Sequence, residues 1–569
     1  MKKLSILMAL LTLFLFGCAP VTFTVSFDKG DNDECEQEVP TDLLEIVDGT
    51  RLTSEQLPEL KNTQNYYFIG WFDGVNKIEE GYVVTKDLHL VAKWQMIPEY
   101  TIKFNNFNNE KKTKDNTPLT QIAAPNKVFK SGYVLTSEDL PNLIDTLTQD
   151  FKGWISKSTD VSPGFVVTED LNLVAKWEKA KLDKININQK YTGNYIVGDK
   201  LTSEDIEVRV YYSDRNWYKY ATDWSTDESF NTAASNKKIT ISYTEAGITK
   251  TATMTINIKA MNSLTENSRD GFLTGEILFG DWPQTIKFSD VKIRNNVSKQ
   301  MGMFTYYAGN DGYWYCQCKQ KAYKSSGNLP KFSNNSFVSE ESADVYAWFK
   351  VEPIVWEKKG SSGDYVLHVS KNILMAGVPY SPDENRNISG NDVYPNNYQY
   401  SWVSGWLDGY RYNLGNSNYN NQNMDKGFLQ TAFTQEAMKK ISYTTIDLSA
   451  QSTGYKTNMF AGGTLTQRFF LLSYTEVNNS SNYLNDSARI KTATDFALAN
   501  GASWYLNGGS YKGRWFLRSP FHQSESSVRC VDVDGDLLGE DIGGGSDGYT
   551  GFVDDTHIGI VPAFKMKSN

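Results

Sequence analysis

Cysteine and histidine are scarce in this sequence. Its 569 residues include five cysteines and four histidines, too few for a scaffold that depends on disulfide bonds. A zinc site requires several Cys or His ligands at short spacing, and the sequence contains no such group. We therefore expect no resident metal and no cofactor.

The sequence also lacks basic blocks and a run long enough to cross a membrane. It has 57 Lys and Arg residues against 67 Asp and Glu, a formal net charge of -10, so a basic surface for nucleic acid is not expected. The main apolar run, residues 4–16, is shorter than the roughly 20 residues of a transmembrane helix.

Motifs of common enzymes are missing as well. No His-Glu-x-x-His helix and no Ser-His-Asp arrangement can be recognised, although these mark zinc peptidases and serine hydrolases. Glycoside hydrolysis remains open, because it needs only two carboxylates and an acidic chain has many. We assign no catalytic residue and favour a binding protein over an enzyme.

The N-terminus reads as an export signal. Lys2 and Lys3 precede the apolar run, which ends in Leu15-Phe16-Gly17-Cys18, the pattern of a short basic segment, an apolar core and a small residue at the cleavage point. These last residues resemble a bacterial lipobox, with Phe16 bulkier than usual. The resemblance implies that residues 1–17 are a lipoprotein signal peptide and that Cys18 carries the lipid. An ordinary cleaved signal beside an incidental cysteine is the alternative.

An internal repeat follows. Three segments recur at a constant offset of 83 residues: Leu52–Pro58 as Leu135–Pro141, Phe68–Trp71 as Phe151–Trp154, and Gly81–Trp94 as Gly164–Trp177. A constant offset indicates two tandem copies of one folded unit, 22–95 and 99–178. Gly70 and Gly153, beside the tryptophan of each copy, predict a bend in a strand.

The repeat has a recognisable signature. An aromatic-x-Gly-Trp segment is followed in both copies by Val-x-x-Asp-x-x-Leu-x-Ala-x-Trp. This resembles the Listeria-Bacteroides repeat, also called the internalin-type B repeat, of bacterial surface proteins. The resemblance implies a β-grasp-like module with a spacer or adhesive role.

Residues 180–260 differ from the repeats. Strand-like alternation covers Ile206–Tyr212, and two further alternating runs, Lys238–Tyr243 and Thr249–Ile258, flank Gly247. Such runs around a glycine predict a hairpin. The segment resembles a bacterial immunoglobulin-like module, which implies a β-sandwich that serves as a stalk.

Residues 265–569 form the largest and least repetitive part. Residues 346–356 and 364–370 alternate as a hairpin, whereas residues 428–441 and 493–500 have helical spacing, the second ended by Gly501. The last sixty residues read as β again. We predict an α+β terminal domain in a multi-domain, mainly β chain.

The end of the chain carries a second resemblance. Trp515–Pro520, Ser527–Val531 and Gly559–Phe564 resemble an uncharacterised family of bacterial surface domains with Leu-Arg-Ser-Pro and Gly-Val-x-Pro-Ala signatures. Ser527–Val531 is also similar to a segment of C-type-lectin-like folds. The resemblance implies a ligand-binding face in the loops between Pro520 and His557.

Six side chains near this end are candidates for ligand contact: Trp504, Tyr511, Trp515, Arg518, Asp532 and Asp534. The aromatic rings offer apolar faces to a sugar, and the aspartates, with Asp536, Glu540 and Asp541, offer oxygens to a cation. Each has a structural alternative. The rings fit a sheet core, Arg518 fits a buried ion pair, and Asp534-Gly535 fits a hairpin turn.

One disulfide is predicted. Cys316 and Cys318 lie too close in sequence to pair with each other without strain. Outside the cytoplasm, a bridge from one of them to Cys530 is therefore the more plausible bond.

Together these features predict a lipid-anchored protein of the cell envelope, on the outer membrane or cell surface. Its β modules would present the terminal domain to a glycan or to a host or environmental protein, as an adhesin or ligand-binding protein does. A surface glycoside hydrolase and a purely structural envelope component are the alternatives.

Replacing the thiol that carries the lipid tests the anchor. In cells expressing Cys18→Ala, labelled palmitate should no longer enter the protein, and the protein should leave the membrane fraction, because the acyl chains supply the membrane affinity. Cys35→Ala is the control and should keep label and location. A Cys18→Ala protein that stays in the membrane unchanged would contradict the anchor.

Overall fold

The computed structural model describes residues 19–106, 108–119, 124–388, 390–409, 426–482, 484–539 and 551–567. Cys18 lies outside these residues. The chain is mainly β, as predicted, and forms two compact units. The first contains the described residues up to Ile185 with Arg209–Tyr220 and Thr244–Lys250, and the second contains Asn186–Val208, Ala221–Tyr243 and the chain from Thr251 onward. No helix in the described segments is long and apolar enough to cross a membrane.

The two repeats have the same sheet. The first has strands β1 (Thr22–Asp28), β2 (Leu43–Val47), β3 (Tyr66–Asp73), β4 (Asn76–Ile78) and β5 (Leu88–Met96) in the order β2-β1-β5-β3-β4. The second has β6 (Glu99–Asn105), β7 (Lys127–Lys130), β8 (Gln149–Ser156), β9 (Thr159–Val161) and β10 (Leu171–Lys179) in the order β7-β6-β10-β8-β9. In both, the first and last strands are parallel. The predicted repeat is confirmed.

The signature tryptophans hold equivalent positions in the two cores. Trp71 Nε1 donates to the Pro58 carbonyl oxygen and Trp154 Nε1 to that of Pro141, both at 2.8 Å. In each copy the neighbouring phenylalanine ring lies edge to face, with centroids 5.5 Å apart. In each copy, the tryptophan therefore bonds a loop through its indole nitrogen and fills the core with its ring.

Gly70 and Gly153 lie at bulges. Their φ angles are 135° and 118°, and the pairing of β3 with β5 shifts register between Phe68 and Gly70. Only glycine adopts such φ angles without strain. The predicted bend is confirmed.

Residues 182–259 form two small sheets. One has β11 (Leu182–Gln189), β13 (Ile206–Tyr212) and β14 (Tyr218–Ala221); the other has β12 (Tyr195–Ile196), β15 (Ser225–Thr226), β16 (Ala234–Glu245) and β17 (Ile248–Lys259). The predicted hairpin is β16–β17, and Ala246 and Gly247 at its turn both have positive φ.

A large sheet organises the terminal domain. Its strands are β18 (Arg269–Asp270), β19 (Glu276–Ile286), β20 (Ile293–Met301), β21 (Phe304–Gly309), β22 (Trp314–Lys319), β23 (Tyr346–Ser362), β24 (Tyr365–Ser370), β30 (Phe469–Phe470) and β37 (Ala563–Lys567). The order is β20-β21-β22-β23-β24-β37-β30, with β19 also paired to β23 and β18 to β19. The predicted hairpin is β23–β24.

Smaller sheets and short helices cover this sheet. The strands are β25 (Asn372–Ile373), β26 (Arg386–Ile388), β27 (Asn391–Val393), β28 (Thr444–Asp447), β29 (Thr464–Gln467), β31 (Lys491–Ala493), β32 (Tyr505–Asn507), β33 (Ser510–Gly513), β34 (Trp515–Pro520), β35 (Ser527–Val531) and β36 (Gly551–Phe552). The helices are α1 (Trp402–Asp408), α2 (Phe428–Ala432), α3 (Gln435–Met438), α4 (Tyr474–Val477), α5 (Asp486–Arg489) and α6 (Asp495–Ala499).

The single helix predicted over residues 428–441 is wrong. Phe433 is extended at φ -128° and ψ 137° and ends α2. Thr434 then caps α3 by accepting a hydrogen bond from the Ala437 amide, which gives the chain an alternative to continuing the helix. The helix predicted at 493–500 is shorter, since Ala493 belongs to β31 and Thr494 is the cap of α6.

Three buried tryptophans connect the core of the terminal domain. Trp282, Trp356 and Trp515 have no exposed surface. Their indole nitrogens donate to the carbonyl oxygens of Leu374, Phe279 and Arg489 at 2.7–3.0 Å. The core therefore includes residues before and after β24, which places the start of this domain well before that strand.

Basic side chains join successive segments of the first unit. Lys130 of the second repeat donates to the Gln64 carbonyl oxygen of the first at 3.0 Å. Arg215 donates to the carbonyl oxygens of Thr146 and Leu147 at 3.1 and 3.3 Å. These bonds attach each segment to the one before it.

In the second unit, a buried cluster of charged side chains joins successive segments. Arg294 Nε lies 2.6 Å from Asp199 Oδ2, and its Nη1 lies 2.8 Å from Asp205 Oδ1. The rings of Tyr191 and Tyr195 lie 4.9 Å from the guanidinium. Burial opposes ionisation of Asp205, but the hydrogen bonds from Arg294 and Thr202, together with the Arg294 charge, outweigh it and lower the pKa of Asp205. The segment predicted as immunoglobulin-like is thus bonded to the terminal domain.

Arg294→Met should destabilise the second unit by about 3–5 kcal/mol, because it leaves two carboxylates buried without a cation. Scanning calorimetry of the full chain measures this as a lower melting transition. The triple variant Arg294→Met/Asp199→Asn/Asp205→Asn removes all three charges and should recover most of the loss. Equal destabilisation of both variants would contradict the explanation.

Acid should weaken the core around His368, whose ring stacks on Phe564. Burial lowers the pKa of His368 from 6.5 to about 4. Between these values the unfolded chain binds a proton that the folded chain excludes, so stability falls by about 3 kcal/mol as pH drops from 6.5 to 4. Asp408, whose pKa burial raises to about 6, acts in the opposite direction.

The comparison of wild type with His368→Gln isolates the histidine, since both proteins retain Asp408. The free energy of unfolding, measured at pH 7.5 and pH 4, should fall more in the wild type than in the variant. Parallel loss in the two proteins would contradict the assignment.

Candidate functional site

A groove of about 750 Å³ opens on the large sheet of the terminal domain. One wall is formed by side chains between Asn262 and Phe272, and the floor by β19 and by residues 350–355 of β23. Tyr313 and Trp314, at the start of β22, form a second wall. We call the wall between Asn262 and Phe272 the polar wall and this second one the aromatic wall. This volume is in the range of small-molecule sites.

Two irregularities in β19 give the groove its floor. The pairing of β19 with β23 shifts register between Leu278 and Asp281 and again between Pro283 and Thr285. Gly280, at the first shift, has φ 71°, and a Cβ there would overlap the Phe433 ring. Because bulges re-aim side chains, Leu278, Asp281 and Gln284 all line the groove although they are three residues apart, whereas a regular strand would alternate such residues between its two faces.

Asp281 holds the polar wall in place. Its carboxylate accepts hydrogen bonds from the Thr265 amide at 2.6 Å and from the Thr265 hydroxyl at 3.0 Å. Burial raises the pKa of Asp281, although these donors act against the rise. Both oxygens are therefore occupied in positioning the wall.

Lys350 and Glu352 position the aromatic wall. The Lys350 ammonium lies 3.6 Å from the centre of the Tyr313 ring and 3.5 Å from a Glu352 oxygen. Glu352 also accepts a hydrogen bond from the Thr285 hydroxyl at 2.5 Å. The Tyr313 ring therefore packs on the Lys350 ammonium, and Glu352 on the same strand holds that ammonium in place.

Other groups at the rim face solvent. Phe272 is 80% exposed and Tyr313 39% exposed, which is unusual for large aromatic rings that line a cavity. Glu266 and Arg269 are exposed as well. Lys440 donates to the Glu266 carbonyl oxygen at 3.0 Å and to the Asn267 side chain, which fixes the backbone of the wall.

The groove offers rings, hydrogen-bond donors and hydrogen-bond acceptors to one small volume. That combination suits a polar organic ligand with an apolar face. Across the described residues, no three His, Cys, Asp or Glu side chains come together as a metal site would require.

Two of the predicted ligand contacts are structural. Trp515 has no exposed surface and Arg518 is 2% exposed. Arg518 Nη1 lies 2.5 Å from Glu476 and 2.7 Å from the Leu471 carbonyl oxygen. Burial opposes ionisation of Glu476, but the charge and hydrogen bond of Arg518, together with the Ser473 amide and the Lys565 charge, outweigh it and lower the pKa of Glu476. The alternative of a buried ion pair is confirmed, and ligand contact by these two residues is wrong.

Trp504 and Tyr511 are brought together as partly buried rings. Their centroids lie 5.2 Å apart, edge to face. Trp504 Nε1 donates to the Tyr323 carbonyl oxygen, and the Tyr511 hydroxyl accepts from the Lys331 amide. Their polar atoms already have partners within the protein, and ligand contact by them stays a prediction.

Asp532 and Asp534 belong to a tight turn. The Gly535 amide donates to the Asp532 carbonyl oxygen at 3.1 Å, and the Asp532 carboxylate pairs with Arg514 at 2.8 Å. Asp534 is exposed. The predicted turn is confirmed, while Glu540 and Asp541 lie outside the described residues.

The predicted disulfide is not formed. Cys316, Cys318 and Cys530 are free thiols in the structure. Cys316 and Cys318 belong to β22 of the large sheet, whereas Cys530 belongs to β35 of a separate three-stranded sheet. Burial raises the pKa of the Cys318 and Cys530 thiols to about 12, so they stay protonated and unreactive.

The groove lies apart from the residues that the sequence indicated as ligand contacts. The groove is formed by residues 262–355, not by the loops after Pro520. Two signals could have indicated it. These are the adjacent Tyr313-Trp314 after the Gly312 turn, and the polar stretch from Asn262 to Asn267 before an apolar strand.

Part of the terminal domain matches a family model. Residues 363–568 match the family model described as a domain of unknown function, DUF6273. No curated protein matches the chain. Among solved structures, domains 3-4 of the Streptococcal High Identity Repeats in Tandem (SHIRT) from a cell surface protein are similar at 17% identity, over 28% of this chain and 98% of that one. The TM-score is 0.13, too low to support an inference, and the groove precedes the DUF6273 match.

Proposed function

We propose that this chain is a lipid-anchored envelope protein whose terminal domain binds a ligand in the groove between Asn262 and Val355. The groove itself carries the proposal. It has the volume of a small-molecule site, exposed aromatic rings at its rim, and both acidic and basic side chains in its lining. The signal-like N-terminus ending at Cys18 supports the anchor.

Binding is favoured over catalysis by how the carboxylates are used. Asp281 accepts two hydrogen bonds from Thr265, and Glu352 is held by Thr285 and Lys350. A general acid or nucleophile needs an oxygen that reaches the substrate. These two carboxylates instead support the walls, which leaves Glu266 as the third carboxylate of the groove lining, whereas glycoside hydrolysis uses a pair.

The repeats support a role in presentation. Lys130 joins the two copies through the Gln64 carbonyl oxygen, and the Tyr67 hydroxyl donates to the Ser131 carbonyl oxygen at 3.4 Å. These bonds connect the two tandem modules directly. We propose that the two copies act as a spacer between the anchor and the later domains.

A binding screen of the full chain tests the groove. The protein, purified in detergent, is applied to immobilised glycans and matrix proteins, beside the double variant Arg269→Ala/Phe272→Ala. Both side chains are exposed, so the variant should fold. Loss of two rim contacts should weaken binding by about tenfold or more.

Tyr505→Ala/Lys324→Ala is the matched control, because it removes an exposed ring and an exposed cation that do not line the groove. The control should bind as the wild type does. A ligand held equally well by wild type and groove variant would contradict the proposal. Release of sugars from a bound glycan would instead assign the groove to a hydrolase.

A further inference from the structure

We propose that the groove accepts a neutral pyranose unit of a glycan, an inference that rests on the proposed function and adds the class of ligand. Three features of the groove point to this ligand: its balance of charge, its two unpaired polar side chains and its exposed rings.

Charges of both signs line the groove. Glu266, Asp281 and Glu352 contribute carboxylates, and Arg269 and Lys350 contribute cations. An anionic sugar would meet three carboxylates in a chain of net charge -10, and a cationic sugar would meet the guanidinium and the ammonium. Either would also lose hydration of its charge on entry. A neutral ligand avoids both penalties.

Two charged side chains remain available to a ligand. Within the described part of the chain, neither Glu266 nor Arg269 forms a side-chain ion pair. An ionised carboxylate only accepts hydrogen bonds and a guanidinium only donates them. A sugar hydroxyl does both, so vicinal hydroxyls of one pyranose match this pair of planar groups. A ligand with donors alone or acceptors alone would leave one of them unsatisfied.

The exposed rings supply the third feature. Phe272 and Tyr313 line the groove yet remain 80% and 39% exposed. Covering such a ring with an apolar face removes apolar surface from water, which is favourable. A pyranose has a face of C–H groups and an edge of hydroxyls, so it can cover a ring and reach the polar wall at once.

Calorimetric titration of the full chain in detergent tests the ligand class. The probes are hexasaccharides of glucose, mannose and galactose, with galacturonate and glucosamine hexasaccharides as the charged counterparts. We expect saturable binding of at least one neutral probe. Its Kd should be unchanged between roughly 0.05 and 0.5 M salt, because no net charge is neutralised.

Substitutions at Tyr313 test the contact with the ring. Tyr313→Leu keeps an apolar side chain without a ring and should raise the Kd about tenfold, whereas Tyr313→Phe keeps the ring and should stay within about threefold. Tyr505→Ala, which alters an exposed ring on β32, should leave the Kd unchanged.

The outcomes separate the ligand class from the proposed function. Binding of only a charged probe, lost in Tyr313→Leu, would overturn the neutral pyranose and leave the groove as the binding site. Failure of all three neutral probes to bind would overturn the ligand class in the same way. Binding that persists unchanged in both Tyr313→Leu and Arg269→Ala/Phe272→Ala would overturn both proposals, because the ligand would then lie elsewhere.

Discussion

The pairing of β19 with β23 is the constraint on which both the core and the groove depend. These neighbouring strands carry Trp282 and Trp356, two of the tryptophans that connect the core. The two register shifts in β19 allow the same strand to present Asp281 and Gln284 to the groove. The Gln284 side chain donates to the carbonyl oxygens of Glu352 and Pro353. A groove residue thus provides hydrogen bonds between the strands where their backbone pairing is interrupted. A regular pairing would have placed core and groove residues in strict alternation.

At several places along the chain, a Lys or Arg side chain binds carbonyl or carboxylate oxygens of the preceding segment. Lys130 and Arg215 do so in the first unit, through backbone carbonyls, and Arg294 does so in the second, through two carboxylates. The Lys130 junction is partly exposed, whereas the Arg215 and Arg294 side chains are buried, pair with carboxylates (Asp150 for Arg215) and depend on their full sets of partners. Modules that composition presents as separate are therefore bonded to their neighbours within each unit.

Short-range sequence patterns predicted the strands and hairpins well but did not indicate the groove. The 83-residue offset, the bend glycines and the hairpins at β16–β17 and β23–β24 are all found, because alternation and turn chemistry act over a few residues. Arg518 and Trp515 were interpreted as ligand contacts or as core, and burial shows that the core interpretation holds. The helix over 428–441 failed because the hydroxyl of Thr434 offers a cap that periodicity alone does not weigh. The groove was missed because its walls come from segments up to 90 residues apart.

The sequence by itself determined the mainly β character and the presence of two copies of one unit, since these follow from composition, short-range periodicity and a constant offset. Only the tertiary structure decided which polar residues face one another. Thr265 meets Asp281, Lys350 meets Tyr313 and Arg294 meets Asp199, and each pair is distant in sequence. Such contacts depend on strand register and on bulges, where a shift of one residue turns a side chain from the core to solvent. No local signal in the chain specifies that register.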